Sequence, residues 1–202
     1  DDFRMVVRSS DKLTSLGLKT GDVCQAELTP PETLRGCCSG IDVVISCVGI
    51  TRQKDGLTYM DVDYQANLNL LNEARESGVK KFIYISVLKG KKLRYLKICD
   101  AKERFVDELE HSDIDYCVIR PNGFFSDMSE LFTMAAKGNI YLFGKGECKT
   151  NPVHGEDLAE LCIDAIKRSD REIEVGGPDT LTYNEIAMIA FQAVDKKPSI
   201  KY

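Results

Sequence analysis

Residues 80–102 read KKFIYISVLKGKKLRYLKICDAK, and this stretch decides the fold. Its apolar run 82–85 is short, β-branched and aromatic, which predicts a strand buried on both faces. The strand ends at Ser86, and a basic loop then leads to a helix that is expected to open near Asp100. Ligands of open α/β sheets bind at the carboxyl ends of strands. Ser86 and the following Lys102 therefore have the layout of a nucleotide-dependent redox site.

The same alternation of strand and helix runs through the whole chain. Strands are predicted around Val6, Cys24, Ile45, Ile83 and Val118. Apolar residues at helical spacing are found in the ranges 65–77, 101–109, 126–137, 158–167 and 186–194. Alternating elements of this kind form mainly parallel sheets that are covered on both faces. The predicted fold is therefore α/β, a three-layer Rossmann-like sheet that is mainly parallel and doubly wound.

Two predicted helix starts carry a capping-box pattern, in which a threonine is followed three residues later by a glutamate. The first pattern spans 29–32 and is expected to open a short helix that continues over 34–38. The second spans 182–185. His154 is interpreted as a structural residue at the start of another helix.

Length and charge narrow the class of protein. A chain of 202 residues with 43% apolar and 29% charged residues is typical of one globular domain. Its net charge of −5 argues against a nucleic-acid-binding surface. No apolar run approaches the roughly 20 residues that a membrane span needs. The first residues, DDFRMVV, resemble neither a signal peptide nor a transit peptide.

Eight cysteines are present, but none forms a CxxC pair, and the chain has only two histidines. This arrangement argues against a metal site. Cys47, Cys117 and Cys162 lie in apolar runs, where cysteine behaves as a small hydrophobic residue. The interpretation is that the cysteines are reduced structural thiols in a reducing compartment. The adjacent Cys37 and Cys38 are a weak indication of redox chemistry.

Five segments, by their amino-acid sequences and their order along the chain, resemble the sequences of a known family. The segments are VVRSSDKL (6–13), IDVVISCVG (41–49), VDYQANLNLLNEARESGVKKFIYIS (62–86), DYCVIRPNGFF (115–125) and YLFGKGECKTNPVHGEDLAE (141–160). Together they resemble the atypical short-chain dehydrogenase/reductases, and within them the NmrA-like NAD(P)-binding proteins and their nucleoside-diphosphate-sugar epimerase-like relatives. The resemblance covers nearly the whole chain and implies a dinucleotide cofactor.

One departure from the family concerns the start of the chain. Members of the family begin with a strand and a glycine-rich turn, G-x-x-G-x-x-G, which holds the pyrophosphate at a helix N-terminus. This chain lacks that motif and starts at what resembles the second strand. The resemblance implies that the absent strand is central, so its absence should split the sheet and leave two unpaired edges. We therefore expect residues 1–202 to be a fragment of one domain, with a small substrate-side portion within about 122–202.

A second departure concerns catalysis. Short-chain reductases place a tyrosine four residues before the active-site lysine, where the lysine lowers the pKa of the phenol. Ile98 stands at that position here, and Tyr95 lies seven residues before Lys102. Ser86 and Lys102 remain as candidate catalytic residues. Ser86 is expected either to bond a substrate carbonyl or only to end its strand.

The resemblance also assigns cofactor contacts near the first two strands of the chain. Arg8, Ser9 and Lys12 match the position where NADP-preferring relatives bind the 2′-phosphate, and a solvated basic turn is the alternative. Glu27 matches an acidic residue near the adenine, with an exposed carboxylate as the alternative. The cofactor implied is NADP, with NAD as the second choice.

Further contacts are implied at later strand ends. Cys47, Val48 and Gly49 follow a strand at the point where the backbone passes close to the dinucleotide, and glycine permits such an approach. Lys102 is expected on the ribose hydroxyls, or else to be an exposed helix lysine. Three more residues match a turn that lies against the nicotinamide: Pro121, Asn122 and Phe124.

Two functions of different class follow from the resemblance. The first is an NAD(P)H-dependent oxidoreductase on a small carbonyl or an isoprenoid- or quinone-like substrate. The second is a catalytically inactive cofactor-binding protein, either a redox sensor or an assembly subunit with a protein partner. Ile98 favours the second, whereas Ser86 and Lys102 favour the first. The location expected is the cytoplasm or the interior of an organelle.

Overall fold

Parallel strands and helices alternate along the chain. The structure is a computed structural model that describes residues 3–15, 22–53 and 56–202. The strands are β1 (Arg4–Val7), β2 (Asp22–Gln25), β3 (Val43–Ser46), β4 (Lys81–Ile85), β5 (Asp115–Pro121), β6 (Ile140–Tyr141), β7 (Lys149–Thr150), β8 (Glu172–Val175), β9 (Leu181–Thr182) and β10 (Ile200–Lys201). The α-helices are α1 (Ser10–Ser15), α2 (Asn67–Glu76), α3 (Lys97–Glu110), α4 (Phe125–Ala136), α5 (Gly155–Ala165) and α6 (Tyr183–Ala193). Short 3-10 helices span Pro31–Leu34 and Gly90–Leu93, and a π-helix spans Met60–Ala66.

The chain divides into two compact units, and the first comprises Asp1–Val118 and Ser169–Arg171. In this unit β3 pairs with β4 in parallel, with Ile45 opposite Ile83. All five residues of β4 are buried, which confirms the strand predicted from the run 82–85. Helices α2 and α3 contribute to the core that packs on this strand, and Phe105 makes ring contacts with Phe82 and Tyr84.

The second unit comprises Ile119–Arg168 and Glu172–Tyr202. The end of β5 lies beside β8, where the Asn122 N–H donates to the Val175 carbonyl at 3.1 Å. Strands β6 and β10 pair in parallel, and β7 and β9 pair antiparallel. The core of this unit is formed mainly by α4 and α6, with Leu131 and Phe191 among its buried residues.

The sheet is split, as expected from the sequence. Strands β1 and β2 form a two-stranded parallel sheet, and a separate four-stranded sheet has the order β3-β4-β5-β8. Strand β3 is therefore an edge of that sheet in the described part of the chain, although its apolar run is typical of an interior strand. Ile45 on β3 is 37% exposed as a result.

The two capping-box patterns have different outcomes. Thr182 and Glu185 form the predicted box, because the Thr182 side chain accepts from the Glu185 N–H and the Glu185 carboxylate accepts from the Thr182 N–H. The prediction for Thr29 and the helix 34–38 is wrong, since a 3-10 helix over Pro31–Leu34 occupies this place without a side-chain cap. His154 caps α5 as interpreted, accepting from the Glu156 N–H.

The cysteines correct the interpretation that all are reduced structural thiols. Cys24 of β2 and Cys37 form a disulfide with Cα atoms 5.9 Å apart. Cys117 and Cys162 are buried, as expected of small hydrophobic residues, but Cys47 is exposed. Cys47 is exposed because it follows β3 at the edge of the sheet.

Candidate functional site

The segment that follows β3 is held by one buried asparagine. Ser46 Oγ donates to Asn67 Oδ1 at 2.6 Å, and Asn67 Nδ2 donates to the carbonyls of Val48 at 3.3 Å and Asp63 at 3.0 Å. Asn67 begins α2 directly after the π-helix, so it ties the carboxyl end of β3 to that helix. The backbone of 46–49 is fixed by these bonds.

Lys102 of α3 lies in this region, paired with a buried carboxylate. Its Nζ is 2.9 Å from Asp63 Oδ1, and the Lys102 and Asp63 side chains are 14% and 0% exposed. Asp63 Oδ2 accepts from the Ile50 N–H at 3.3 Å. The ammonium also lies 5.5 Å from the centroid of the Tyr84 ring. Lys102 is thus an oriented cation rather than an exposed helix lysine.

Gly49 packs directly against this ion pair. A Cβ atom at Gly49 would lie 2.6 Å from Asp63 Oδ1 and 2.7 Å from Lys102 Nζ, closer than real Cβ contacts. Only glycine therefore fits at position 49 without displacing the ion pair. Cys47 is exposed as a residue, but desolvation of its thiol group raises the pKa of that thiol, and the nearby charge of Lys102 acts in the opposite direction.

Ser86 is bound to a second buried carboxylate. Its Oγ donates to Glu103 Oε1 at 2.9 Å, and both residues are buried. The Glu103 carbonyl accepts from Arg94 Nη2 at 3.2 Å. Ser86 and Lys102 are thus engaged by neighbouring acidic residues in this structure.

No phenol takes the place of the tyrosine expected before Lys102. Helix α3 begins at Lys97, so Ile98 lies one turn before Lys102 on the same helix. Tyr95 lies outside the helix and is 78% exposed. The position one turn before Lys102 thus lacks the phenol of short-chain reductases, although the buried Tyr84 ring lies 5.5 Å from the ammonium.

Three of the residues predicted near the adenosine half of a dinucleotide lie at adjoining strand ends. Arg8 and Ser9 follow β1, and Glu27 follows β2, which pairs with β1 in parallel. The Arg8 carbonyl accepts from Gln25 Nε2 at 3.2 Å, which joins the two ends. The side chain of Lys12 lies outside the described part of the chain.

The residues predicted to face the nicotinamide belong to the second unit. Pro121 ends β5, and Asn122 is held there by a bond from its Nδ2 to Asn151 Oδ1 and by Thr150 Oγ1, which donates to the Asn122 carbonyl at 3.2 Å. Phe124 precedes α4 and forms an isolated bridge with Val153. These contacts fix the backbone of the turn.

Sequence reasoning missed Asp63 and Glu103. Asp63 stands four residues before Asn67, a spacing that places two residues on one helix face, and this was a usable signal. Glu103 directly follows Lys102, but nothing in its spacing marks a carboxylate that the fold buries. Both contacts join residues 17 or more positions apart in sequence.

A cavity of about 270 Å³ lies in the first unit, between the start of α3 and the start of the π-helix. Its lining residues are Gln53, Thr58, Tyr59, Met60, Lys97 and Asp100. Lys97 is on the same helix as Lys102, one and a half turns earlier. The cavity offers one cation among mixed polar and apolar walls.

The described residues include neither a metal-binding cluster nor a membrane-spanning helix. Within 3–15, 22–53 and 56–202, no group of histidine, cysteine and acidic side chains is arranged to hold a metal ion. Among the helices of the same residues, none has the length and apolar content to cross a bilayer.

Comparison with known proteins gives a family match over most of the chain. Residues 1–169 match the family model described as NAD(P)H-binding. The chain is 29% identical to divinyl chlorophyllide a 8-vinyl-reductase of Cucumis sativus, over 95% of this chain and 49% of that protein. It is 26% identical to the photosystem II assembly factor Ycf39 of Synechocystis sp., over 80% of this chain and 50% of that protein. The chain spans about half the length of these curated relatives.

Solved structures share the fold. A nucleoside-diphosphate-sugar epimerase from Staphylococcus aureus superposes with a TM-score of 0.77 at 18% identity, over 98% of this chain and 70% of that one. A triphenylmethane reductase from Citrobacter sp., solved with NADP(H), superposes with a TM-score of 0.75 at 18% identity, over 98% and 68%. These similarities confirm the Rossmann-like α/β fold with a mainly parallel sheet.

Proposed function

Because the chain belongs to the NAD(P)H-binding family of atypical short-chain dehydrogenase/reductases, we propose that it binds NADP(H) and reduces an organic acceptor. The acceptor class is a small carbonyl or an isoprenoid- or quinone-like molecule. The observation that carries this proposal is the oriented Lys102 ammonium, 2.9 Å from Asp63 and against Gly49 at a strand end. Ligands of open α/β sheets bind at such ends.

The residues of this site fit a dinucleotide through the ion pair beside Gly49. The absence of a Cβ at Gly49 lets Lys102 Nζ and Asp63 Oδ1 lie against the backbone that follows β3. The Lys102 ammonium has three donors, so beyond its bond to Asp63 it has hydrogens for the hydroxyls of a ribose. NADPH, when bound, supplies the hydride. Arg8 and Ser9 would hold the 2′-phosphate. The Ser86 hydroxyl donates to Glu103, so Ser86 would contact the acceptor only through this same hydroxyl group.

The proton that accompanies the hydride needs another source than a tyrosine four residues before Lys102. Ile98 has no proton to give, and the Tyr95 side chain is exposed before the helix. We therefore assign this proton to water. An acceptor with a conjugated double bond or a quinone suits such a site, because its reduced anion is delocalised and needs less assistance from an acid.

The test is NADPH binding followed by NADPH oxidation in the presence of acceptors. The panel contains a quinone, a small conjugated carbonyl and divinyl chlorophyllide a, the substrate class in the name of one relative. We expect NADPH to bind and one acceptor to accelerate its oxidation. Lys102→Met should weaken binding about 10- to 100-fold, the value of one charge-assisted hydrogen bond. A protein without NADPH affinity would refute the proposal.

A second function, assembly of a protein complex with a bound dinucleotide, is favoured by Ile98 and by the Ser86–Glu103 bond. One relative is named a photosystem II assembly factor. NADPH binding by the parent protein without accelerated oxidation by any acceptor of the panel would select this function over the reductase.

A further inference from the structure

Asp63 is a buried carboxylate whose presence is not explained by stability. Its side chain is fully buried and makes an ion pair with Lys102 and one bond with the Ile50 N–H. Removing two charges from water is expensive, and buried ion pairs often stabilise a fold no more than apolar residues of similar size. The ion pair between Asp63 and Lys102 therefore needs an explanation other than a contribution to the free energy of unfolding.

The surroundings of Lys102 restrict where its ammonium lies. Asp63 contacts the ammonium, the Tyr84 ring faces it, and the Gly49 backbone closes a third side. A lysine side chain is flexible and ordinarily loses rotamer freedom when it binds a ligand. Here much of that ordering is already present before any ligand arrives.

The backbone that carries Asp63 is also unusual. Asp63 lies in the π-helix Met60–Ala66, and π-helices are rare and frequently found at functional sites. The Asp63 carbonyl accepts from Asn67 Nδ2, the same amide that bonds the Val48 carbonyl. One network thus fixes both the carboxylate and the strand end that the ammonium faces.

We propose that Asp63 is a positioning residue, which holds the Lys102 ammonium beside Gly49 in the orientation that a bound dinucleotide requires. Asp63 itself does not touch the cofactor. The inference rests on the proposed function, because Lys102 must contact the dinucleotide for its orientation to matter. It differs from a structural role in one measurable respect: the effect of Asp63 on cofactor affinity must pass through Lys102.

A double-mutant cycle on NADPH affinity tests this dependence. The variants are Asp63→Asn, Lys102→Met and the double variant, with the dissociation constant measured by fluorescence titration. Asp63→Asn keeps the shape of the side chain and removes its charge, and we expect it to weaken NADPH binding about tenfold. In the Lys102→Met background the same change should have no further effect on affinity, because groups that act through one contact are not additive.

A matched control separates positioning from general destabilisation. Glu73 is a second buried carboxylate of the first unit, and its Oε1 accepts from the Gly36 N–H at 2.8 Å. Glu73→Gln should lower the midpoint of thermal unfolding while NADPH affinity stays within twofold of the parent. If Asp63→Asn does not fold, Asp63→Glu takes its place in the cycle, since it keeps the charge but displaces the ammonium.

The outcomes are distinguishable. Additive losses of affinity for Asp63→Asn and Lys102→Met, or an Asp63→Asn loss no larger than that of Glu73→Gln, would overturn the positioning role and leave the proposed function intact. Unchanged affinity in Lys102→Met would instead refute the role of Lys102 and with it both proposals. A tenfold loss that disappears in the Lys102→Met background supports the inference.

Discussion

At the scale of single residues, Gly49 is a position where one added methyl group should change cofactor affinity. A Cβ atom there would approach Asp63 Oδ1 and Lys102 Nζ to 2.6 and 2.7 Å. Lys102 has some freedom to move away, but the Asp63 carboxylate is buried and bonded. Gly49→Ala should therefore displace the ammonium, weaken NADPH binding at least tenfold and lower the free energy of unfolding by about 1–3 kcal/mol.

The measurements are a fluorescence titration with NADPH and chemical unfolding. Gly155→Ala is the matched control, because nothing lies within 4 Å of a Cβ at that position. It should leave NADPH affinity unchanged. Equal affinities for Gly49→Ala and the parent protein would show that the packing of Gly49 on the ion pair has no part in binding.

Cys38 gives a second prediction at this scale, through its ionisation. Burial first, and then the charge of Glu73, raise the pKa of this thiol from its ordinary value of 9.0 to about 11, while Arg4 acts in the opposite direction. Between pH 9 and about 11 the unfolded chain therefore releases this proton while the folded chain keeps it. Because the unfolded state binds fewer protons in this window, stability is intact below it and falls as the pH rises through it.

The loss from this one group is at most about 1.4 kcal/mol per pH unit. Urea unfolding of the parent and of Cys38→Ala across this window measures it, since the difference in stability between the two should shrink as the pH rises. Cys148→Ala, at an exposed cysteine, should follow the parent. A constant difference between Cys38→Ala and the parent would contradict the raised pKa.

At the scale of elements, the disulfide between Cys24 and Cys37 joins β2 to the segment after the first 3-10 helix. It closes a loop with a sequence separation of 13. A loop of about this length corresponds to roughly 3 kcal/mol of stabilisation through restriction of the unfolded chain. The variant Cys24→Ser/Cys37→Ser should lose a similar amount in urea unfolding, and the oxidised parent should become equally unstable on treatment with a dithiol. A parent protein whose unfolding midpoint is the same with and without dithiol would refute the prediction.

The two capping patterns show what local sequence predicts and what it misses. Thr182 and Glu185 cap α6 as the pattern predicts, and the bonds from Thr182 lower the pKa of the Glu185 carboxyl. Thr29 has the same pattern, but the 3-10 helix here begins at Pro31 with Pro30 at its N-cap position, so Thr29 does not cap it. Thr33 instead bonds the Glu27 backbone, accepting from its N–H at 3.1 Å. The four-residue pattern by itself did not decide the outcome.

At the scale of the whole molecule, the spacing of apolar residues predicted which segments form strands and helices, but not which strands lie side by side. The alternation of strands and helices was readable from apolar spacing, because each element must bury one face. An apolar run does not state which strand will lie beside it, so the run of β3 by itself predicted an interior strand where Ile45 is 37% exposed. The contacts of Asp63 with Lys102 and of Ser86 with Glu103 were invisible for the same reason. They depend on how distant segments are brought together.

The preference for NADP(H) over NAD(H) can be measured on the whole molecule, through the shift that each cofactor produces in the midpoint of thermal unfolding. A ligand that binds only the folded state at 100 times its dissociation constant adds about 2.7 kcal/mol, or roughly 5–10 °C in the unfolding midpoint for a chain of this size. Arg8 is exposed at the end of β1 and suits the dianionic 2′-phosphate, a contact worth about 1.5–3 kcal/mol. NADPH should therefore raise the midpoint of thermal unfolding more than NADH at equal concentration.

Arg8→Ala should reduce the NADPH shift to the NADH value and leave the NADH shift unchanged. Arg35→Ala, at another exposed arginine, should alter neither shift. Equal shifts for the two cofactors in the parent protein would mean that Arg8 does not bind the 2′-phosphate and that the predicted preference for NADP(H) is wrong.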